Sequence, residues 1–193
     1  MGYNISGLAI NQNMHGRIYE LATHLGFKLS APRPIDFKSA ADNNRQANEC
    51  DVYFGKQGTI LFLDMERYAE TCALPHVNTL CFALSETQKA YHLNYCEDGK
   101  ELRAVLEING KRLQDSGKRL AKEKETDELY DIICHQIETL IGQRVQDIDP
   151  TDKAVRFQLD TIENRLPLVS SDETLPIDEN RKWWEFWKME QKA

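Results

Sequence analysis

The chain has 193 residues, 41% hydrophobic and 28% charged, a length that buries one core and a balance that excludes wholesale disorder and fibrous repeats. Its 24 Lys and Arg against 31 Asp and Glu leave a net charge of −7, which opposes non-specific attraction to phosphate backbones and argues against a nucleic-acid partner. No window approaches the ~20 apolar residues that crossing a bilayer requires, and no charged-then-apolar leader opens the chain, so neither a membrane partner nor export is expected.

Ile5, Leu8 and Ile10 form a short apolar run closed by Asn11-Gln12-Asn13 and read as a first strand. Met1-Gly2-Tyr3-Asn4-Ile5-Ser6 also fits the loose acylation pattern, but the start of a strand is the simpler reading. Ile18, Leu21, Ala22 and Leu25 fall at helical spacing before Gly26, which predicts an amphipathic helix over residues 14 to 25 with a left-handed glycine cap. Residues 30 to 49 carry Pro32, Pro34 and a polar run without period, and are expected to be loop with at most one helical turn.

Val52-Tyr53-Phe54, Gly55-Lys56-Gln57-Gly58 and Thr59 to Leu63 read as a hairpin, followed by a short helix from Asp64 to Leu74. Strands are predicted at Thr79 to Ser85, Lys89 to Cys96 and Glu101 to Ile108, with Asp98-Gly99 and Asn109-Gly110 as tight turns, and Lys111 to Gln114 as a charged edge strand. Alternation puts Leu102, Ala104, Leu106 and Ile108 on a core face and Arg103, Val105 and Glu107 on a mostly solvated one; Tyr91, Leu93 and Tyr95 share a face of the preceding strand. After the charged linker Lys122 to Glu125, Thr126 is the expected N-cap of a helix over residues 126 to 141, whose stripe runs through Leu129, Ile132, Ile133, Ile137, Leu140 and Ile141 to the stop at Gly142. Val155, Phe157 and Leu159 make a last short strand.

The expected architecture is therefore α+β: an antiparallel β-meander sheet of about five to six strands with the two main helices packed on one face. Residues 1 to 160 form the domain, and residues 161 to 193 form an extended C-terminal tail.

Chemistry-bearing patterns are sparse. The five cysteines, Cys50, Cys72, Cys81, Cys96 and Cys134, are odd in number and without close pairing, which fits core thiols in a reducing, cytoplasmic setting. The nearest metal-ligand pairs are Cys72 with His76, interrupted by Pro75, and His92 with Cys96, ~13 Å apart along a strand; neither makes a site, and no metal or cofactor is expected. Gly55-Lys56-Gln57-Gly58 lacks the spacing of a phosphate-wrapping loop and reads as a hairpin turn. Asp147, Asp149 and Asp152 surround Pro150 without the glycine and glutamate of a calcium loop, and read as turn chemistry. No catalytic residue is assigned.

The candidate binding residues are Trp183, Trp184, Phe186 and Trp187, an aromatic cluster flanked by Lys182 and Lys188. On a helix the tryptophans cover one face, and burying each ring removes roughly 150 to 250 Å², enough to dock a short segment on its own domain or on a partner. The functional expectation is a non-enzymatic, cytoplasmic protein-binding module whose partner is basic; an immunity protein that neutralises a basic toxin is one concrete form. Two alternatives stand beside it: a small hydrolase or transferase whose site is assembled from scattered residues, and a structural homodimer that exchanges its tail.

Overall fold

The computed structural model describes residues 4–64 and 73–161. Strands β1 (Asn4–Ile10), β2 (Phe27–Asp36), β3 (Glu49–Phe54), β4 (Thr59–Phe62), β5 (Thr79–Ser85), β6 (Ala90–Glu97), β7 (Lys100–Ile108), β8 (Lys111–Gly117) and β9 (Lys153–Thr161) make one nine-stranded sheet. Its order is β2-β9-β3-β4-β1-β5-β6-β7-β8 and every pairing is antiparallel. The α+β antiparallel expectation holds, but nine strands replace five to six.

Helices α1 (Ile18–His24), α2 (Phe37–Ala41) and α3 (Leu129–Ile141) accompany the sheet. The expected placement of both main helices on one face is wrong. Register puts Ile5, Ala9, Ile60, Phe62, Leu80, Phe82, Leu93 and Val105 on the face that packs against the α3 stripe. The opposite face carries Leu8, Ile10, Leu61, Val52 and Phe157, and Tyr19 of α1 meets Phe157 edge-on at 5.9 Å there. The physical reason is legible in β1 and β4: successive residues Leu8-Ala9-Ile10 and Ile60-Leu61-Phe62 are all buried, so central strands bury both faces and need cover on each.

Three further corrections follow from burial and pairing. Residues 30 to 36 are strand, not loop, because β2 is an edge strand; Pro32 and Pro34 are tolerated there, and Ala31 turns the bulge with φ of 48°. Val105 and Arg103 are not solvated: Val105 joins the core beneath α3 and Arg103 is 1% exposed. The segment after β8 is not a free linker, since it forms a 3₁₀ turn at Lys122–Lys124 that buries Glu123 against Arg103.

Cap chemistry refines two helices. The residue preceding α1 is Arg17, and the turn closes as expected with Gly26 at φ of 76°. Thr126 does not cap α3; its hydroxyl accepts the Glu128 N–H at 3.1 Å, and Glu128 is the N-cap. The C-terminal stop at Gly142, φ of 80°, is as expected. The predicted helix from Asp64 to Leu74 lies mostly outside the described residues.

A 13-residue α3 is about 20 Å long, whereas nine strands span about 38 Å between the outermost backbones. It crosses β4, β1, β5 and β6, so both ends of that face need other cover. Phe37 of α2, packed on Tyr53 and Phe62, covers one end, Leu120 joins the core at the other, and charged side chains complete both. At one end Asp51, fully buried, accepts two hydrogen bonds from Arg156 at 2.6 and 2.8 Å and one from Arg45 at 3.2 Å. Arg45 also donates to the Ala40 carbonyl at 2.6 Å and to Asn43 Oδ1 at 2.7 Å, which ties down the chain between α2 and β3. At the other end Arg103 is held by Glu123, by Asp115 at 2.6 Å and by the Ser116 carbonyl at 2.8 Å.

Candidate functional site

Trp183, Trp184, Phe186 and Trp187 lie outside the described residues, as does Cys72. Cys50, Cys81 and Cys96 are buried thiols; burial, with the Asp51 carboxylate beside it, pushes the Cys50 thiol up to about 12, the opposite of what a nucleophile requires. His92 and Cys96 stand on one face of β6. Among the described residues no group of three or more His, Cys, Asp or Glu side chains is arranged to hold a metal ion. Asp149 accepts from the Thr151 N–H and hydroxyl at 2.8 and 2.7 Å, which is the turn role expected of it.

The glycine loop between β3 and β4 serves packing. The Gly55 N–H bonds to the Gly58 carbonyl at 2.8 Å, and the Gln57 N–H bonds to the Ile141 carbonyl at the end of α3 at 3.1 Å. A Cβ on Gly58 would stand 2.2 Å from the Ile10 carbonyl oxygen and 2.4 Å from that of Leu140. The glycine is required because three backbones meet there.

Two surface features do concentrate chemistry. On the α3 side, Tyr91 of β6 and Tyr130 of α3 are half-buried and meet edge-on with centroids 6.4 Å apart. Around them the β5–β6 turn brings Glu86, β7 brings Glu107, and the start of α3 brings Glu128 and Asp131. Burial raises the Tyr91 hydroxyl, and the fields of Glu86, Glu107 and Glu128 raise it further. Burial likewise raises Tyr130, with Cys134 and Glu86 adding to it. Glu107 is neutralised by Arg112 at 3.4 Å. Glu86, Glu128 and Asp131 have no ion pair among the described residues.

On the α1 side of the sheet a cleft of about 260 Å³ opens between α1, the end of β1 and the segment that leads into β5. Ile10, Met14, Leu21, Leu74 and Val77 form its apolar walls, and Arg17, Glu20, His24 and His76 its polar ones. Arg17 Nε bonds to Glu20 at 3.0 Å. His76 has φ of 64°, and its N–H is accepted by Asp98 Oδ1 at 2.7 Å.

Neither feature was marked as a site by sequence reasoning. In the sequence Glu128 is only one residue of the predicted helix, and Tyr91 stands out only by its face on the strand. No spacing rule links Glu86, Tyr91, Glu107 and Glu128: sheet register pairs Tyr91 with Glu107, and tertiary packing brings the β5–β6 turn and the start of α3 beside them. No protein-family model, curated protein or solved structure matches the chain.

Proposed function

We propose that the protein is a non-enzymatic protein-binding module and that the Tyr91–Tyr130 surface with its carboxylate rim receives a basic segment of its partner. The observation that carries this reading is the set of carboxylates Glu86, Glu128 and Asp131, without an ion pair among the described residues, beside two tyrosines already fixed by packing. Rigid aromatics supply contact area with little ordering penalty, and a negative rim selects and steers a Lys- or Arg-rich segment. The overall charge of −7 acts in the same direction. Neutralising a basic toxin, as an immunity protein does, is one concrete form of this function. The aromatic cluster Trp183, Trp184, Phe186 and Trp187 offers a second handle in the sequence.

Photo-cross-linking from the protein's native cells tests the reading. A benzophenone amino acid at Lys89, on the rim, should capture one basic protein at low salt, and the same group at Asn44 should not. The adduct should vanish in the E86Q/E128Q/D131N variant. Equal capture from both positions, capture that survives the triple variant, or no adduct at Lys89 overturns the proposal. A chain ending at Asp178 asks whether the aromatic cluster shares in the capture.

A further inference from the structure

The cleft beside α1 sets a few polar groups, one of them a guanidinium, around an apolar floor. Among the described residues the cleft lining offers Arg17, His24 and His76 beside the carboxylate of Glu20, with Asp98 against His76 at the rim. Glu20 is taken up by Arg17, whose bond to it uses Nε and leaves both terminal guanidinium nitrogens to donate elsewhere. The placement follows from helix geometry: Arg17, Leu21 and His24 recur at i, i+4 and i+7, so one line of side chains along α1 alternates donor, apolar wall and donor. Across the opening, Asp98 fixes His76 on the rim by accepting its backbone N–H at 2.7 Å, with Nδ1 3.5 Å from the same carboxylate oxygen. Beneath them Ile10 and Met14 are almost fully buried and Leu21 and Leu74 nearly so, giving the cleft an apolar floor.

We infer that this cleft binds a small amphiphilic carboxylate, its apolar body between Met14, Leu21 and Val77 and its carboxylate at Arg17 with His24 or His76. An apolar cavity with a few polar groups at one side is the general form of a small-molecule site. The volume of 260 Å³ equals that of roughly nine liquid waters, which suits a ligand of about the size of hexanoate or phenylacetate. Arg17 is the group that selects charge, because its planar fork matches a carboxylate in two parallel bonds. The site lies on the sheet face opposite the tyrosine surface and stands or falls independently of it.

Titration of the full chain with hexanoate and phenylacetate, followed by ¹H–¹⁵N chemical shifts, tests the inference. Both acids should give saturable shifts at residues 12 to 24 and 74 to 77. Hexanamide, phenylacetamide and acetate should bind at least about tenfold more weakly, since each lacks either the charge or the apolar body. Arg17→Gln, at an exposed position, should cost about tenfold in acid affinity and leave the folded spectrum intact. Val77→Trp, which fills the cleft from its half-exposed rim, should abolish binding. Amides that bind as well as the acids, an Arg17→Gln variant with unchanged affinity, or no saturable shift with either acid overturns it.

Discussion

Arg103 and Glu123, on β7 and the turn after β8, face each other through two parallel hydrogen bonds of 2.8 Å, with side chains 1% and 4% exposed. A third bond runs from the Leu120 N–H to Glu123 Oε1 at 2.9 Å, so the carboxylate also organises the turn that carries it. Breaking such a pair leaves a buried charge without its partner, which is more damaging than never having had the pair. Glu123→Ala should therefore destabilise the protein by about 3 kcal/mol in urea unfolding. Arg103→Met with Glu123→Leu should lose less than the sum of the two single changes. Full additivity would show that the pair is not acting as a unit.

The same cluster sets an acid limit. Burial acts to raise Glu123, but the bonds from Arg103 and the Leu120 N–H outweigh it and hold the carboxyl below 4.5. Bonds from Arg103 and Arg112 hold Asp115 below 3.8. Both folded values lie under the unfolded ones, so their stabilisation is complete above the unfolded pKa values and is lost as pH falls through the folded ones. Stability should be flat near neutrality and should decline below about pH 4.5. Melting curves of Glu123→Gln should show a weaker acid-side slope than the parent; an equal slope would remove Glu123 from the effect.

Asp51 plays the corresponding part at the other end of the sheet, where it accepts from Arg156 and Arg45. Asp51→Asn keeps the volume but takes the counter-charge from the buried Arg45 and leaves Arg156 only Glu49 at 3.5 Å, for an expected loss of about 3 kcal/mol. Because Arg45 also binds the Ala40 carbonyl and Asn43, Arg45→Met should speed limited proteolysis between residues 42 and 48 more than elsewhere. Uniform cleavage across the chain would contradict that local role.

Gly58 and Gly110 separate two reasons for glycine. Gly58→Ala drives a methyl into the Ile10 and Leu140 carbonyls, and should destabilise by about 1 to 3 kcal/mol or push the β3–β4 loop off α3. Gly110 has open space around its Cβ position but φ of 74°, so Gly110→Ala should cost about 1 kcal/mol through backbone strain alone. Equilibrium unfolding of the two variants distinguishes them, and altered amide shifts at Leu140 and Ile141 should accompany Gly58→Ala only.

Much of the fold was legible from local pattern. The β3–β4 hairpin, the β5 to β8 meander, the Gly26 and Gly142 stops and the α3 stripe are each written in a few consecutive residues, because turn chemistry and periodicity act over short range. Pro32 and Pro34 misled because proline opposes strand formation in general, yet an edge strand leaves those positions without a partner to satisfy. Alternation in β7 does not reveal that the Arg103 face is covered, because a charged residue there signals solvent unless Glu123 and Asp115 replace it.

What the sequence determined by itself is most of the elements, β2 excepted, the stripe of α3 and the acidic balance, all properties of neighbouring residues or of the sum over the chain. Tertiary structure alone decided that β9 inserts between β2 and β3, that α1 and α3 take opposite faces, and that Glu86, Glu107, Glu128 and Asp131 gather around Tyr91 and Tyr130. Those outcomes depend on pairings between segments more than a hundred residues apart, where loop-closure entropy is offset only by the burial that the whole sheet makes possible.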